Sequence, residues 1–127
     1  MIAVDTSALM AIVLGEAKSD DCIKVLESES EVLVSAGTVA EALIVAARRS
    51  VGDEMANLID GLSFEIVSVT LASARRISQA YERWGKGLNP AGLNFGDCFA
   101  YEVAKQHSCR LLFVGDDFAR TDVERVL

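Results

Sequence analysis

Short β-branched runs alternate with helix-patterned stretches along the whole chain, and this alternation constrains the fold more than any single motif. "IAVD" (2–5) is an apolar run ending in an acid, and "SALMAIVLGE" (7–16) follows with helical character and a glycine stop. "AKSDDCIKVLESES" (17–30) sets apolar residues on a charged background, as a surface helix does. "EVLVSA" (31–36) is a second strand-like run, and "GTVAEALIVAARRS" (37–50) predicts a mostly buried helix. "DEMANLIDGL" (53–62) reads as a helix, "FEIVSV" (64–69) as a strand, and "TLASARRISQAYERWG" (70–85) as a helix capped by Thr70. "KGLNPAGLN" (86–94) holds the one proline and reads as a loop. "LNFGDCFAYEVAK" (93–105) is a helix entered through a turn, "CRLLFVG" (109–115) a last strand, and "DDFARTDVERVL" a turn with a short final helix.

Strands alternating with helices imply βαβ units. The expected fold class is α/β: one three-layer α/β/α domain over residues 1–127, with a central parallel sheet of about four to five strands. In such sheets ligands collect beyond the carboxyl ends of the strands.

Composition narrows the function classes. With 51% hydrophobic and 24% charged residues, the 127-residue chain is globular rather than disordered. Its three cysteines, Cys22, Cys98 and Cys109, form no CxxC pair and suit reduced core thiols. The N-terminal stretch lacks a basic region, and no apolar run approaches the roughly 18 residues that span a bilayer. A cytoplasmic protein with no membrane partner is expected. The net charge of −7 argues against simple electrostatic binding of nucleic acid. It leaves room for an enzyme whose acids gather around cations.

Several acids fall where the sheet edge should be. Asp5 ends the first strand, Asp116 and Asp117 follow the last, and Asp97 opens a helix. Each has a plain structural alternative as a cap or turn residue, with Asn94 an equal candidate for the cap of the Asp97 helix. Glu41 is the one charged residue between Val32 and Ala47. It is either a partly exposed helix residue or a carboxylate that needs a cation or a strong hydrogen-bond donor. The topology can bring all of these acids to one crevice. Two carboxylates 4 Å apart repel by about 4 kcal/mol at an effective dielectric near 20. Three or four together need a cation, and oxygen donors without a His or Cys cluster favour Mg²⁺ or Mn²⁺. Such an ion lowers the pKa of water and stabilises charge on phosphoryl oxygens, the chemistry of phosphodiester hydrolysis.

Four segments in order then resemble the PIN-domain ribonucleases, and specifically the VapC-type toxins of type II toxin–antitoxin pairs. They are "MIAVDTSALMAIVLGE", "TVAEALIVAARR", "NPAGLNFGDCFAYEVAK" and "LLFVGDDFARTDV", and the third is the most specific. The resemblance implies a PIN-like domain and a Mg²⁺- or Mn²⁺-dependent endoribonuclease acting on structured or translation-related RNA (tRNA, rRNA or mRNA). It also implies a homodimer and a cognate antitoxin that blocks the site. By the same resemblance Asp5 and Asp97 are the principal metal ligands, Glu41 is a further acid, and Asp116 or Asp117 completes the set. Many family members carry one acid directly after the last strand, whereas Gly115 stands here with two acids behind it. Thr6 and Ser7 are expected to orient ligands or phosphate through their hydroxyls.

Two other readings fit an acidic pocket on an α/β layer: a receiver-like phosphoacceptor module, and a catalytically inactive PIN fold that only binds. A receiver places its acidic pair after the first strand and a lysine after the last. Here the pair is at the end and no lysine follows Lys105. Arg48/Arg49 and Arg75/Arg76 are either solvated helix faces or phosphate contacts for RNA. "RWGKGLNPAG" is either a mobile flap near Asp97 or a plain connector.

Overall fold

The computed structural model describes residues 1–127. Its strands are β1 (Ile2–Val4), β2 (Val32–Ser35), β3 (Glu65–Val67) and β4 (Arg110–Leu112). Its helices are α1 (Thr6–Val13), α2 (Ser19–Ser28), α3 (Ala36–Arg48), α4 (Gly52–Gly61), α5 (Leu71–Trp84) and α6 (Phe95–Gln106). The strands form one parallel sheet in the order β3-β2-β1-β4, with Ile2 paired to both Val32 and Arg110.

Period-two alternation along the strands divides the core. Ile2, Val4, Val32, Val34 and Leu112 face one side, where Leu9, Met10, Cys22, Ala42 and Met55 of α1–α4 cover them. Ala3, Leu33, Leu111 and Phe113 face the other, against Ile77 and Ala80 of α5 and Cys98, Tyr101 and Val103 of α6. This is the expected three-layer α/β/α arrangement. β1 and β2 are buried on both faces, which explains their unbroken apolar reading. The three cysteines are free, and no helix is long and apolar enough to cross a membrane.

Two expectations need correction, and one open choice is decided. The segment after β4 contains no final helix. Gly115 turns the chain with φ +98, a series of turns follows, and the last residues meet the β4 edge at Arg125. Leu111 N–H donates to Glu124 O at 2.8 Å, and Val126 N–H donates to Leu111 O at 3.1 Å. Those edge groups offer hydrogen bonds that a helix of a few residues could not match. The resulting Leu111–Arg125 bridge is all that exists of a fifth strand. Second, α3 is not mostly buried: Thr38, Ala42 and Ala46 are inside, but Leu43 and Ile44 are exposed. Of the two readings of "RWGKGLNPAG", the hydrogen bonds favour the connector. Lys86 N–H and Leu93 O bond at 2.9 Å, Leu93 N–H bonds Trp84 O at 2.9 Å, and Leu93 is fully buried.

The order of the strands makes β1 a switch point. The chain leaves β1 toward β2 on one side, and β4 lies on the other. The crevice beyond the carboxyl ends of β1 and β4 is where an open sheet of this kind places a ligand.

Candidate active site

Asp5 follows β1 at that crevice and is 2% exposed. Its Oδ2 accepts the Ser7 N–H at 3.0 Å and caps α1. Its Oδ1 is buried without any hydrogen-bond partner, a property shared only with Thr38 Oγ1. One oxygen thus does the structural work, and the other is unpartnered. A buried, unpartnered carboxylate oxygen is costly unless something positive or hydrogen-donating meets it.

Asp97 sits in the first turn of α6. Its Oδ2 accepts the Asn94 N–H at 3.0 Å, and Asn94 Oδ1 accepts the Asp97 N–H at 2.8 Å. Both residues therefore cap the helix, in a reciprocal capping box with Asn94 at the cap position. Glu41 lies in the second turn of α3, half-buried, and its Oε1 accepts the Thr6 hydroxyl at 2.6 Å. The strong donor that an isolated acid in an apolar helix requires is thus supplied from α1. The Ser7 hydroxyl accepts the Val114 N–H at 3.1 Å and fastens the exit of β4 to α1. Thr6 orients an acid and Ser7 holds the loop that carries two more.

Electrostatics show which acids converge. Burial pushes the Asp97 carboxyl up to about 7 against the opposing Asn94 N–H, and the charges of Asp5, Asp117 and Glu41 push the same way. Burial likewise pushes Asp5 up to about 6, opposed by its bonds to Ser7 and reinforced by Glu41. Asp5, Glu41, Asp97 and Asp117 therefore share one field. Asp116 is exposed and is not among the charges acting on Asp5 or Asp97; its carbonyl instead takes the Ala119 N–H at 3.1 Å. Without a cation, burial favours the protonated forms of Asp5 and Asp97.

No three His, Cys, Asp or Glu side chains approach closely enough to form a closed metal cage. The donor set is all oxygen, includes one orphaned buried atom, and contains mutually repelling acids. That set fits a hard cation bound by one or two carboxylates and completed by water and phosphate oxygens, the usual habit of Mg²⁺. Beside Glu41 a groove of about 310 Å³ runs between α3 and α6, lined by Ala40, Ile44, Phe95 and Phe99.

The basic pairs separate. Arg76 Nε donates to the buried Glu102 at 3.0 Å, so it is committed within the fold. Arg75 lies near the start of α5 and is exposed. Arg48 and Arg49 end α3, two turns from Glu41. Trp84 donates from Nε1 to Tyr101 Oη at 2.9 Å and packs the end of α5.

Residues 2–124 match the family model described as PIN domain. Ribonuclease VapC36 of Mycobacterium tuberculosis is 40% identical, over 95% of this chain and 90% of that protein. Ribonuclease VapC30 of the same organism is 35% identical, over 98% of each. The fold is similar to that of M. tuberculosis VapC20, described as a sarcin–ricin loop cleaving toxin, at a TM-score of 0.81 and 18% identity, covering 99% of this chain and 98% of that one. A toxin–antitoxin complex from Klebsiella pneumoniae matches at a TM-score of 0.73 and 16% identity, covering 96% and 93%. The chain belongs to the PIN domain family, and within it to the VapC ribonucleases.

Proposed function

We propose that this chain is an endoribonuclease toxin that hydrolyses RNA phosphodiester bonds with Mg²⁺ or Mn²⁺ and is neutralised by a cognate antitoxin. The observation that carries the metal-dependent reading is the unpartnered Oδ1 of Asp5, an acid that together with Glu41 and Asp117 acts on Asp97. Asp5 and Asp97 would hold the ion, and Glu41 and Asp117 complete the acidic shell. When bound, the ion supplies a water of lowered pKa and neutralises charge at the phosphate. The chain's own residues do the positioning. Thr6 fixes the Glu41 carboxylate, Asn94 fixes Asp97, and Ser7 holds the segment that presents Asp117. The exposed Arg75 of α5 is available for a contact with the RNA backbone.

The antitoxin reading draws on relatives of this fold found in toxin–antitoxin complexes. An acidic crevice in a chain of net charge −7 suits a basic segment whose Arg enters among the carboxylates and competes with metal and substrate. Exposed Leu43 and Ile44 on α3 supply apolar surface for a homodimer.

Antitoxin-free protein incubated with total RNA tests the function. Cleavage is expected with Mg²⁺ or Mn²⁺ and none with chelator. Cleavage that persists in chelator would remove the metal-dependent mechanism.

A further inference from the structure

Gly96 is the second residue of α6, buried between Phe95 and Asp97. Its φ is outside the left-handed region, so the backbone does not call for glycine there. Glycine is a poor helix former, and its place in this turn needs another cause. The cause is steric. A Cβ at position 96 would overlap the carboxyl group of Glu41, whose Oε2, Cδ and Oε1 are its three nearest atoms. Glu41 occupies the space that any side chain at 96 would fill.

From the other side, the Thr6 hydroxyl holds Glu41 Oε1 at 2.6 Å. The carboxylate is clamped between a hydroxyl of α1 and the backbone of α6, beside a helix N-terminus that favours negative charge. The approach of the two helices is set again one turn away, where a Cβ on Gly37 of α3 would overlap the Phe99 ring of α6. One glycine from each helix brings α3 and α6 together at the acids.

We propose that Gly96 is a positioning residue for RNA cleavage. By admitting the Glu41 carboxylate against the first turn of α6, it fixes the spacing between Glu41 and Asp97. This rests on the reading that the two acids serve one hydrolytic site. A methyl group at 96 would push the Glu41 carboxylate off its bond to Thr6 and away from Asp97. A misplacement of about 1 Å in a reacting constellation costs about 100-fold in rate.

The test is a cycle of Gly96→Ala in the parent, in Glu41→Asp and in Glu41→Ala, read by RNA cleavage, by Mn²⁺ calorimetry without RNA, and by melting in EDTA. Gly96→Ala alone should lower kcat about 100-fold with little change in KM, and should weaken Mn²⁺ binding. In Glu41→Asp, whose shorter side chain withdraws from position 96, the same substitution should cost little further activity. In Glu41→Ala it should raise the melting temperature, because alanine is the better helix former once the space is free, whereas in the parent it should lower it. Such non-additivity is the mark of direct contact. Parental kcat and Mn²⁺ affinity in Gly96→Ala would overturn the proposal. So would an equal melting loss with and without the Glu41 side chain, which would make Gly96 a packing residue only. A parent that neither binds Mn²⁺ nor cuts RNA would overturn the hydrolytic reading itself, and the positioning role with it.

Discussion

The Thr6 hydroxyl donates a 2.6 Å hydrogen bond to Glu41 Oε1, joining the start of α1 to the second turn of α3 across 35 residues of sequence. It fixes the orientation of an acid that has no salt-bridge partner. It also links Glu41 to Asp5, the neighbour of Thr6 in the chain. Thr6→Val keeps the shape and removes the donor. RNA cleavage should fall about 10- to 100-fold, the usual cost of losing a group that orients a ligand. Thr6→Ser should retain most of the activity. Stability should drop by about 1–2 kcal/mol, read by urea unfolding.

The two raised carboxyls make the metal-free fold pH-sensitive. Asp5 and Asp97 ionise near 6 and 7 in the folded chain, against 3.8 ordinarily. Between those values the folded state holds protons that the unfolded state has released. The associated stability is full below about pH 4 and is lost as pH rises through 6 and 7. The total is of the order of several kcal/mol. In EDTA the melting temperature should fall from pH 5 to pH 8. Saturating Mn²⁺ should flatten that fall, because the ion binds the ionised carboxylates of the native state. A flat profile in EDTA would show that these acids are not desolvated together.

The two acids after β4 are not equivalent. Asp117 contributes to the field at Asp97, and Asp116 does not. Asp117→Asn should weaken Mn²⁺ binding about 10-fold, and Asp116→Asn should leave it essentially unchanged, both measured by calorimetry. The reverse order would move the fourth acid one residue upstream.

The layer architecture was legible because β1 and β2 are buried on both faces and read as unbroken apolar runs. The carboxyl-edge rule then directed attention to Asp5, Asp97 and the acids after β4. What escaped was information held between elements. α3 looked buried because composition cannot tell a one-sided apolar helix from a surrounded one, and Ile44 in fact faces outward. The final helix failed because a short tail found better hydrogen bonds on the β4 edge. Glu102 sits in "AYEVA" with the same signature as Glu41, a lone acid in an apolar helix, yet it is paired with Arg76 inside the fold. Only geometry separates the two. Gly96 gave no signal at all, since its meaning depends on a side chain 55 positions earlier.

Cleavage of one defined RNA by the parent and by Asp97→Asn, followed across a Mn²⁺ titration, tests the central claim most directly. Asparagine at 97 still offers an oxygen to the Asn94 N–H, so the helix cap survives while the charge is lost. The parent should cut only when Mn²⁺ is present, with activity saturating as the ion binds. Asp97→Asn should melt as a folded protein and cut nothing at any Mn²⁺ concentration. Cleavage that persists in chelator, or an Asp97→Asn protein that cuts as the parent does, would contradict a metal-dependent ribonuclease built on these carboxylates.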